Sequence, residues 1–255
     1  MRSGRSPVRT HSRAVVGLLA LSVTALLAAA TPVAAGPGLK PTGWIKQVGT
    51  YDYLVQPDFD GVAPLSEVVG NATIGLGTFD QLDGELVLVR GTVYRVGTDG
   101  TPRPVDLSRS TPFFQGVRFS PQVWVSIASD TACSDLIPVI DASTANSDGI
   151  VAVRINGTFA TLTTRSVPKQ AKPYPPLSEV IAEQVTFPMT DVRATLVGFR
   201  QGSDMLGVGQ PGLHLHGLTR DGDAGGHVLS CTVGSGARMA LQQVRGVQLH
   251  APAGS

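Results

Sequence analysis

The sequence predicts an α/β fold that is mixed but β-rich, built on mixed and antiparallel sheets. Short runs of apolar and β-branched residues dominate the chain, and only a few segments have a helical pattern. Turn residues, chiefly glycine, aspartate and proline, separate these runs. Hydrophobic residues make up 42% of the chain and charged residues 15%, which indicates a packed core rather than disorder.

Residues 1–35 are interpreted as a removable signal peptide rather than as part of this fold. A basic start, an apolar run over Ala14–Ala30 and the small residues Val33-Ala34-Ala35 occur in the order that signal peptidase recognises. A membrane anchor is the competing interpretation, but Ser22 and Thr24 interrupt the run, which is only marginally long enough to span a bilayer. We therefore expect a secreted protein, extracellular or periplasmic, with no membrane association after cleavage.

Removal of this leader changes the formal net charge from +1 to −3, because the leader carries four arginines and no acidic residue. No basic stretch remains that would track a phosphate backbone, so nucleic acid is not an expected partner. About 220 residues remain, which is enough for one large domain or two small, fused ones.

The N-terminal subdomain, predicted over residues 36–140, contains a short helix and an antiparallel meander. The helix is expected at Leu65–Gly70. Apolar runs punctuated by turn dipeptides predict strands at Ile74–Phe79, Glu85–Arg90 and Thr92–Val96, followed by one extended stretch at Gln115–Ala128. The boundary is placed in the small, polar region around Leu136–Ile140.

The C-terminal subdomain, predicted over residues 141–255, begins with the clearest hairpin signal in the chain. Asn156-Gly157 separates two apolar runs, Val151–Ile155 and Thr158–Thr164, and this dipeptide is favoured where both turn residues need positive φ. The proline-rich run Val167–Pro176 must be a loop. The remaining pattern predicts a helix at Leu177–Gln184 and strands at Arg193–Arg200, Gly212–Leu218, Gly226–Thr232 and Arg238–Leu249.

The two cysteines, Cys133 and Cys231, are able to pair in an exported chain. Their positions in the sequence do not show that they are close in space, so a disulfide is left open. Cys231 is disfavoured as a metal ligand beside His227, because four residues of extended chain separate them by roughly 13 Å.

Three histidines within fourteen residues are the strongest functional signal. His214 and His216 alternate on a predicted strand, so both side chains point to one face. A turn-like stretch then brings His227 back on the neighbouring strand. Three imidazoles aimed at one point suit a divalent metal such as zinc, with coordination positions left open for a substrate. The alternative is a set of unrelated surface or core histidines.

Two further residues are weaker candidates from the pattern alone. Glu85 begins an apolar strand, where a buried charge is costly unless it is paired or bound to a metal, although an edge residue beside a turn, exposed to water, is the simpler interpretation. Arg165 ends a strand and opens the rigid loop, where a guanidinium would hold a carboxylate, although a solvated strand end is the simpler interpretation. No lysine in an apolar context suggests a Schiff base, and no Gly-x-Ser-x-Gly motif suggests serine hydrolysis.

Seven segments, taken together and in order, resemble the acetolactate decarboxylases. The resemblance spans about Gln47 to Leu249. It is carried by Gly75–Glu85, Thr111-Pro112-Phe113, Arg154–Phe159, Thr164–Gln170, Pro173–Leu177, Leu196–Arg200 and the segment of the three histidines.

The resemblance implies that His214, His216 and His227 bind zinc or another divalent metal. It also implies that Glu85 approaches the same metal and that Arg165 is an active-site residue. The implied fold is two fused α/β subdomains built on β-sheets, usually as a homodimer, with the site between the halves.

The chain departs from the family pattern at three places. Family members usually continue past the last strand and bring a second glutamate back to the metal, whereas His250–Ser255 contains none. Gly217 stands where a bulky aromatic residue is usual, and Ser230-Cys231 replaces a typical Asp-Phe pair. We therefore expect an altered pocket and slower decarboxylation than in relatives that keep that glutamate.

The implied reaction is metal-dependent decarboxylation of 2-acetolactate, a 2-hydroxy-3-oxo acid, to acetoin and CO2. Loss of CO2 leaves electrons that spread onto the neighbouring ketone oxygen, and a metal stabilises that charge as a Lewis acid. Two alternatives remain: a non-catalytic zinc-binding relative, and a cupin-like metalloenzyme that also uses His-x-His on a strand. Gly77-Thr78-Phe79 and Arg165–Gln170 argue against the cupin-like alternative.

Overall fold

The computed structural model describes Met1 and residues 38–145 and 148–251, so the predicted signal peptide lies almost entirely outside the described residues. Strands dominate this part of the chain, and the expected β-rich α/β class is confirmed. In chain order the strands are β1 (Ile45–Val48), β2 (Ala63–Pro64), β3 (Ile74–Thr78), β4 (Glu85–Val89), β5 (Thr92–Val96), β6 (Pro102–Pro104), β7 (Ser110–Thr111), β8 (Phe114–Val117), β9 (Val123–Ser126), β10 (Thr131–Ala132), β11 (Ile150–Ser166), β12 (Val185–Gln201), β13 (Gly212–Thr219), β14 (Gly225–Val233), β15 (Arg238–Gln243) and β16 (Val247–His250).

Short helices connect these strands. The α-helices are α1 (Tyr51–Val55), α2 (Leu65–Val68), α3 (Leu136–Thr144) and α4 (Leu177–Ala182), with 3-10 turns at Asp80–Leu82, Cys133–Asp135 and Ser203–Met205. The predicted helices that correspond to α2 and α4 are confirmed, each ending earlier than expected. The α3 helix was not predicted, because its buried face consists of only three residues, two of them apolar: Leu136, Ile140 and Thr144.

The first sheet has seven strands in the order β16-β1-β8-β3-β4-β5-β6. Neighbouring strands are antiparallel except β1 and β16, which run parallel. The predicted meander of β3, β4 and β5 is confirmed, with the turn at Arg90-Gly91 between the last two. Positive φ angles at both turn residues, 54° and 81°, fit the two-residue connection.

The second sheet also has seven strands, in the order β10-β14-β13-β12-β11-β15-β9, and its neighbours are all antiparallel. An additional pairing joins β14 to β11, so strands β11 to β14 form a closed ring of ladders. The second half of β11 therefore lies beside β14 while its first half lies beside β15.

The predicted hairpin at Asn156-Gly157 is wrong. Both residues lie inside the 17-residue strand β11, where Asn156 pairs with Thr195 and Gly157 pairs with Ala194. Close packing explains the glycine, because a Cβ there would lie 2.4 Å from the Cβ of Ala237. Glycine in this strand therefore serves close approach rather than a turn.

Two stretches predicted as single strands are each divided between the sheets. Gln115–Ala128 contains β8 in the first sheet and β9 in the second, and the chain bends between them around Pro121. Arg238–Leu249 contains β15 in the second sheet and β16 in the first, with Gly246 at a φ of 152° in the connection. Apolar runs predict extended chain, but they do not specify the sheet that the chain joins.

One hydrophobic core connects the two sheets. It contains Leu76 and Val87 from the first sheet and Val197 and Phe199 from the second, all fully buried. The described residues from Gly38 onward belong to one compact unit. The predicted division into residues 36–140 and 141–255 stays a prediction, and strands β9, β10 and β16 join the sheet formed mainly by the other half.

The two cysteines form a disulfide that joins the turn before α3 to β14. Cys231 is buried, and the bond excludes it from the metal-ligand set, in agreement with its distance along the strand from His227. None of the described helices is long and apolar enough to cross a membrane.

Candidate metal centre and its cavity

Three histidine rings converge at one end of the second sheet. His214 Nε2 lies 3.1 Å from His227 Nδ1, and that atom lies 3.2 Å from His216 Nε2. Taken together, the three ligand atoms are within 4.8 Å of one another. The structure thus places the three predicted ligands in one cluster.

Strand register explains this convergence. His216 lies directly opposite His227 on β14, and His227 lies directly opposite Arg165 on β11. Residues that face each other across an antiparallel ladder project to the same side of the sheet, and His214, two positions before His216, shares that side. The closed ring of ladders therefore brings all four side chains to one surface.

A glycine allows the close approach of β14 and β11 at this point. Gly226 adopts a φ of 124°, and a Cβ there would lie 2.3 Å from the carbonyl oxygen of Arg165. A side chain at this position would separate the two strands beside His227. Gly217 is buried against Leu196, whose side chain occupies the space where a Cβ would lie.

The histidine cluster fits a divalent metal in both protonation and spacing. Burial lowers the pKa of His214 to about 3 and also lowers the pKa of His216 and His227, with the charge of Arg165 acting in the same direction. Neutral imidazoles are the form that binds metals. Zinc–nitrogen bonds of about 2.0–2.1 Å in a tetrahedral site separate the nitrogens by about 3.3 Å, and two of the three nitrogen pairs, at 3.1 and 3.2 Å, are close to this separation.

A backbone contact orients one of these rings. His216 Nδ1 lies 2.8 Å from the carbonyl oxygen of Leu86 on β4. When Nδ1 carries the proton and donates to this oxygen, the lone pair of Nε2 points toward the cluster, as in many metal sites. His214 Nδ1, by contrast, is buried without a hydrogen-bond partner among the described residues.

Glu85 and Arg165 form a buried ion pair beside the cluster. Arg165 Nη1 donates to Glu85 Oε1 at 2.8 Å, and the side chains are only 13% and 6% exposed. The other carboxylate oxygen, Oε2, lies 3.6 Å from His216 Nε2. Burial raises the pKa of Glu85, and the nearby positive charge of Arg165 opposes this effect. The structure thus brings together residues from both sheets that are 80 positions apart.

The cluster and the ion pair open into a cavity of about 250 Å³. Its walls are mainly apolar, contributed by residues that include Leu54, Phe113, Val167 and Leu177. Such a small, mostly apolar cavity with few converging polar groups is typical of a small-molecule site.

Sequence reasoning missed four polar residues of this cavity: Tyr51, Thr78, Gln184 and Gln210. Gln184 follows α4, and its buried Oε1 has no hydrogen-bond partner within the described chain. Thr78 belongs to a segment quoted for the family resemblance, but nothing in its pattern distinguished a cavity wall from a strand end. Only the packing of the two sheets reveals these positions.

Comparison with known proteins connects this site to one family. The sequence profile of the alpha-acetolactate decarboxylases matches residues 45–255. The alpha-acetolactate decarboxylase of Methanosarcina mazei is 36% identical over 190 residues, which cover 74% of this chain and 66% of that relative, just under two thirds of its length. The Bacillus subtilis enzyme of the same name is 35% identical over 199 residues, which cover 76% of this chain and 78% of the relative.

The chain belongs to the alpha-acetolactate decarboxylase family. The fold agrees with this assignment. A crystal structure of alpha-acetolactate decarboxylase from Bacillus subtilis superposes with a TM-score of 0.79 at 32% identity, covering 83% of this chain and 90% of that one. A Staphylococcus aureus protein of unknown function, described as similar to alpha-acetolactate decarboxylase, gives a TM-score of 0.78 at 25% identity, covering 82% of this chain and 89% of that one.

Proposed function

We propose that this protein is a metal-dependent carboxy-lyase that converts 2-acetolactate to acetoin and CO2. The observation that carries the proposal is the convergence of three histidines and the Glu85–Arg165 pair on one small cavity. Relatives named alpha-acetolactate decarboxylase support the choice of substrate.

His214, His216 and His227 would hold the metal, and zinc is the proposed ion because three imidazoles with open positions are a common catalytic zinc set. Once bound, such an ion supplies Lewis-acid stabilisation of the negative charge that develops on the substrate ketone oxygen.

The ion pair gives Arg165 and Glu85 separate tasks. Arg165 uses Nη1 to hold Glu85 Oε1, and its other N–H groups remain to bind the substrate carboxylate and orient the bond that breaks. Breaking that bond releases CO2 and leaves an electron pair on the substrate. A proton must then reach the carbon that lost CO2. Glu85, which is ionised while paired with Arg165, is proposed to take up one proton from solvent in each turnover at Oε2, the oxygen that Arg165 does not hold, and to pass it to that carbon.

The cavity walls supply the remaining requirements. Apolar residues including Leu54 and Phe113 exclude water, which strengthens the electrostatic interactions inside the site. Gln184 Oε1, which has no partner among the described residues, is proposed to accept a hydrogen bond from the substrate hydroxyl.

The test is an assay of acetoin formation from racemic 2-acetolactate by purified, zinc-loaded protein. We expect activity that falls by about 10²–10⁴-fold in the Glu85→Gln variant, the usual cost of a lost general acid. Arg118→Gln, an exposed arginine outside the cavity, is the matched control and should keep full activity. Stoichiometric metal without acetoin above the uncatalysed rate would instead identify a non-catalytic zinc-binding relative.

Export and dimerisation are part of the same proposal. The disulfide between Cys133 and Cys231 supports an oxidising compartment, consistent with the signal-like leader. Mass spectrometry of the protein secreted by its native host should find an N-terminus near Gly36, and light scattering should give the mass of a homodimer. A retained leader or a monomer at working concentration would contradict these two points.

A further inference from the structure

A second concave site, which we call the arginine groove, lies between the two sheets and shares no lining residue with the metal cavity. Its volume is about 910 Å³. Four exposed arginines line it: Arg90, Arg193, Arg220 and Arg238. Arg90 lies in the turn between β4 and β5, Arg193 on β12, Arg220 directly after β13 and Arg238 on β15. Because these positions are far apart in the sequence, no basic stretch predicts the groove.

The positive charge of this groove is uncompensated. None of its lining residues is acidic, and no salt bridge joins its four arginines to any residue that the structure describes. Five arginines elsewhere in the described chain are each paired with a carboxylate, namely Arg95, Arg103, Arg109, Arg165 and Arg200, whereas no salt bridge joins Arg118 or Arg245 to a described residue. Positively charged side chains are therefore concentrated in this groove, although the formal net charge of the chain without residues 1–35 is negative.

A fifth arginine adds to this field beside an exposed aromatic side chain. Trp124, 49% exposed, lines the groove, and the guanidinium carbons of Arg238 and Arg154 lie 5.0 and 5.8 Å from its ring centroid. Burial lowers the pKa of Arg154, and the charge of Arg90 lowers it further. Arg154 Nε is buried without a hydrogen-bond partner in the described part of the chain.

Two of these arginines are immediate neighbours. The backbone N–H of Arg220 donates to the carbonyl oxygen of Arg193 at 2.7 Å. Asn156, on the next strand, accepts a hydrogen bond from Thr195 through its Oδ1 at 2.9 Å, which leaves its amide nitrogen as a neutral donor in the groove. Donors greatly outnumber acceptors there, so the matching ligand is rich in acceptor oxygens and negative charge.

We propose that the arginine groove binds an oligophosphate, a diphosphate or triphosphate group that is either free or the end of a nucleotide. Such a group carries several negative charges within a few ångströms, so it matches the four lining arginines better than a monoanion does. Its oxygens suit the planar N–H fork of the guanidinium. This site is separate from the proposed decarboxylase activity and does not depend on it.

The test is calorimetric titration of the zinc-loaded protein with inorganic tripolyphosphate at about 0.1 M salt, where long-range charge effects are screened. We expect saturable binding at one site per chain. Because this change removes two charged hydrogen-bonded contacts, the Arg193→Gln/Arg220→Gln variant should bind about 10²–10⁴-fold more weakly. Arg118→Gln, an exposed and unpaired arginine outside the groove, changes one charge and should bind like the wild type.

Three comparisons make the result decisive. Arg193→Lys/Arg220→Lys keeps the charge and should recover part of the affinity, while unchanged thermal unfolding of all variants shows that the fold is intact. Titration with ATP distinguishes the two sources of the phosphate group. If the groove recognises a nucleotide, ATP should bind more tightly than tripolyphosphate. If it recognises the phosphate chain alone, ATP and tripolyphosphate should bind equally well. Binding that does not saturate would overturn the proposal. Equal affinity in the wild type and the Arg193→Gln/Arg220→Gln variant would also overturn it, because tripolyphosphate that only chelates the zinc at the histidines would give that result. So would a variant that is monomeric where the wild type is a dimer, because the arginines would then belong to the subunit interface.

Discussion

Replacement of Arg165 by methionine should expose the energetic dependence of Glu85 on its ion pair. The two side chains are only 13% and 6% exposed, so solvent does little to screen the carboxylate once its partner is removed. Methionine keeps much of the side-chain volume but provides no donor. Removing one member of a buried ion pair typically costs about 3–5 kcal/mol, because an uncompensated charge remains inside.

Urea unfolding of the metal-free protein, followed by the fluorescence of its tryptophans, measures this effect without the contribution of zinc binding. For a domain of this size the loss corresponds to a decrease in melting temperature of about 6–20 °C. The Glu85→Gln/Arg165→Met double variant should recover most of the stability, since the buried charge is then absent. Arg103→Met breaks an exposed pair with Asp99, 56% and 49% exposed, and should cost less than about 1 kcal/mol.

Two results would refute this reasoning about Arg165. One is a loss below about 1 kcal/mol in Arg165→Met, which is the size expected of an exposed pair. The other is a double variant as unstable as Arg165→Met, which would assign the loss to side-chain packing rather than to the unpaired charge of Glu85.

Three further predictions follow from the fold and the cavity. Gly157→Ala should destabilise the protein by about 1–3 kcal/mol through overpacking, because the new Cβ would lie 2.4 Å from the Cβ and 2.8 Å from the Cα of Ala237; a loss below about 0.5 kcal/mol in urea unfolding would contradict the packing. Cys231→Ala should remove about 2–5 kcal/mol of unfolding free energy, since the bond to Cys133 closes a long loop, while zinc content stays unchanged; zinc loss would return Cys231 to the ligand set. Gln184→Leu should raise KM for 2-acetolactate by about tenfold, the worth of one hydrogen bond to a buried group, with zinc content unchanged, and an unaltered KM would remove Gln184 from substrate binding.

The sequence was most informative where a local pattern has a single geometric meaning. His214 and His216 alternate on a strand, so their common face follows from the period of two, and the turn after Thr219 returns the chain to place His227 opposite His216. The meander of β3 to β5 follows from short turns between apolar runs in the same way.

Features that depend on contacts between distant segments were beyond local reasoning. Asn156-Gly157 carries the usual hairpin signal, but the glycine is required by packing against Ala237 instead. Likewise, alternation predicted extended chain at residues 115–128 and 238–249 without showing that each crosses from one sheet to the other. The closed pairing of β11 with β14, which places Arg165 beside His227, has no sequence signature of its own.

The candidate site shows the same division. Periodicity alone indicated the histidines, whereas the roles of Glu85 and Arg165 depended on the family resemblance, because a charged residue at a strand end is usually solvated. Their contact joins residues 80 positions apart. The positions of Gln184 and of the arginine groove could be recognised only in the assembled sheets, because the residues around them come from segments far apart in the sequence.

Titration of metal-free protein with zinc, measuring acetoin formation at each step, tests the central claim most directly. We expect activity to rise linearly and to reach a plateau at one zinc per chain, and we expect the His216→Ala variant neither to retain zinc nor to gain activity. Full activity in the chelator-treated protein, or saturation with zinc that yields no acetoin above the uncatalysed background, would contradict it.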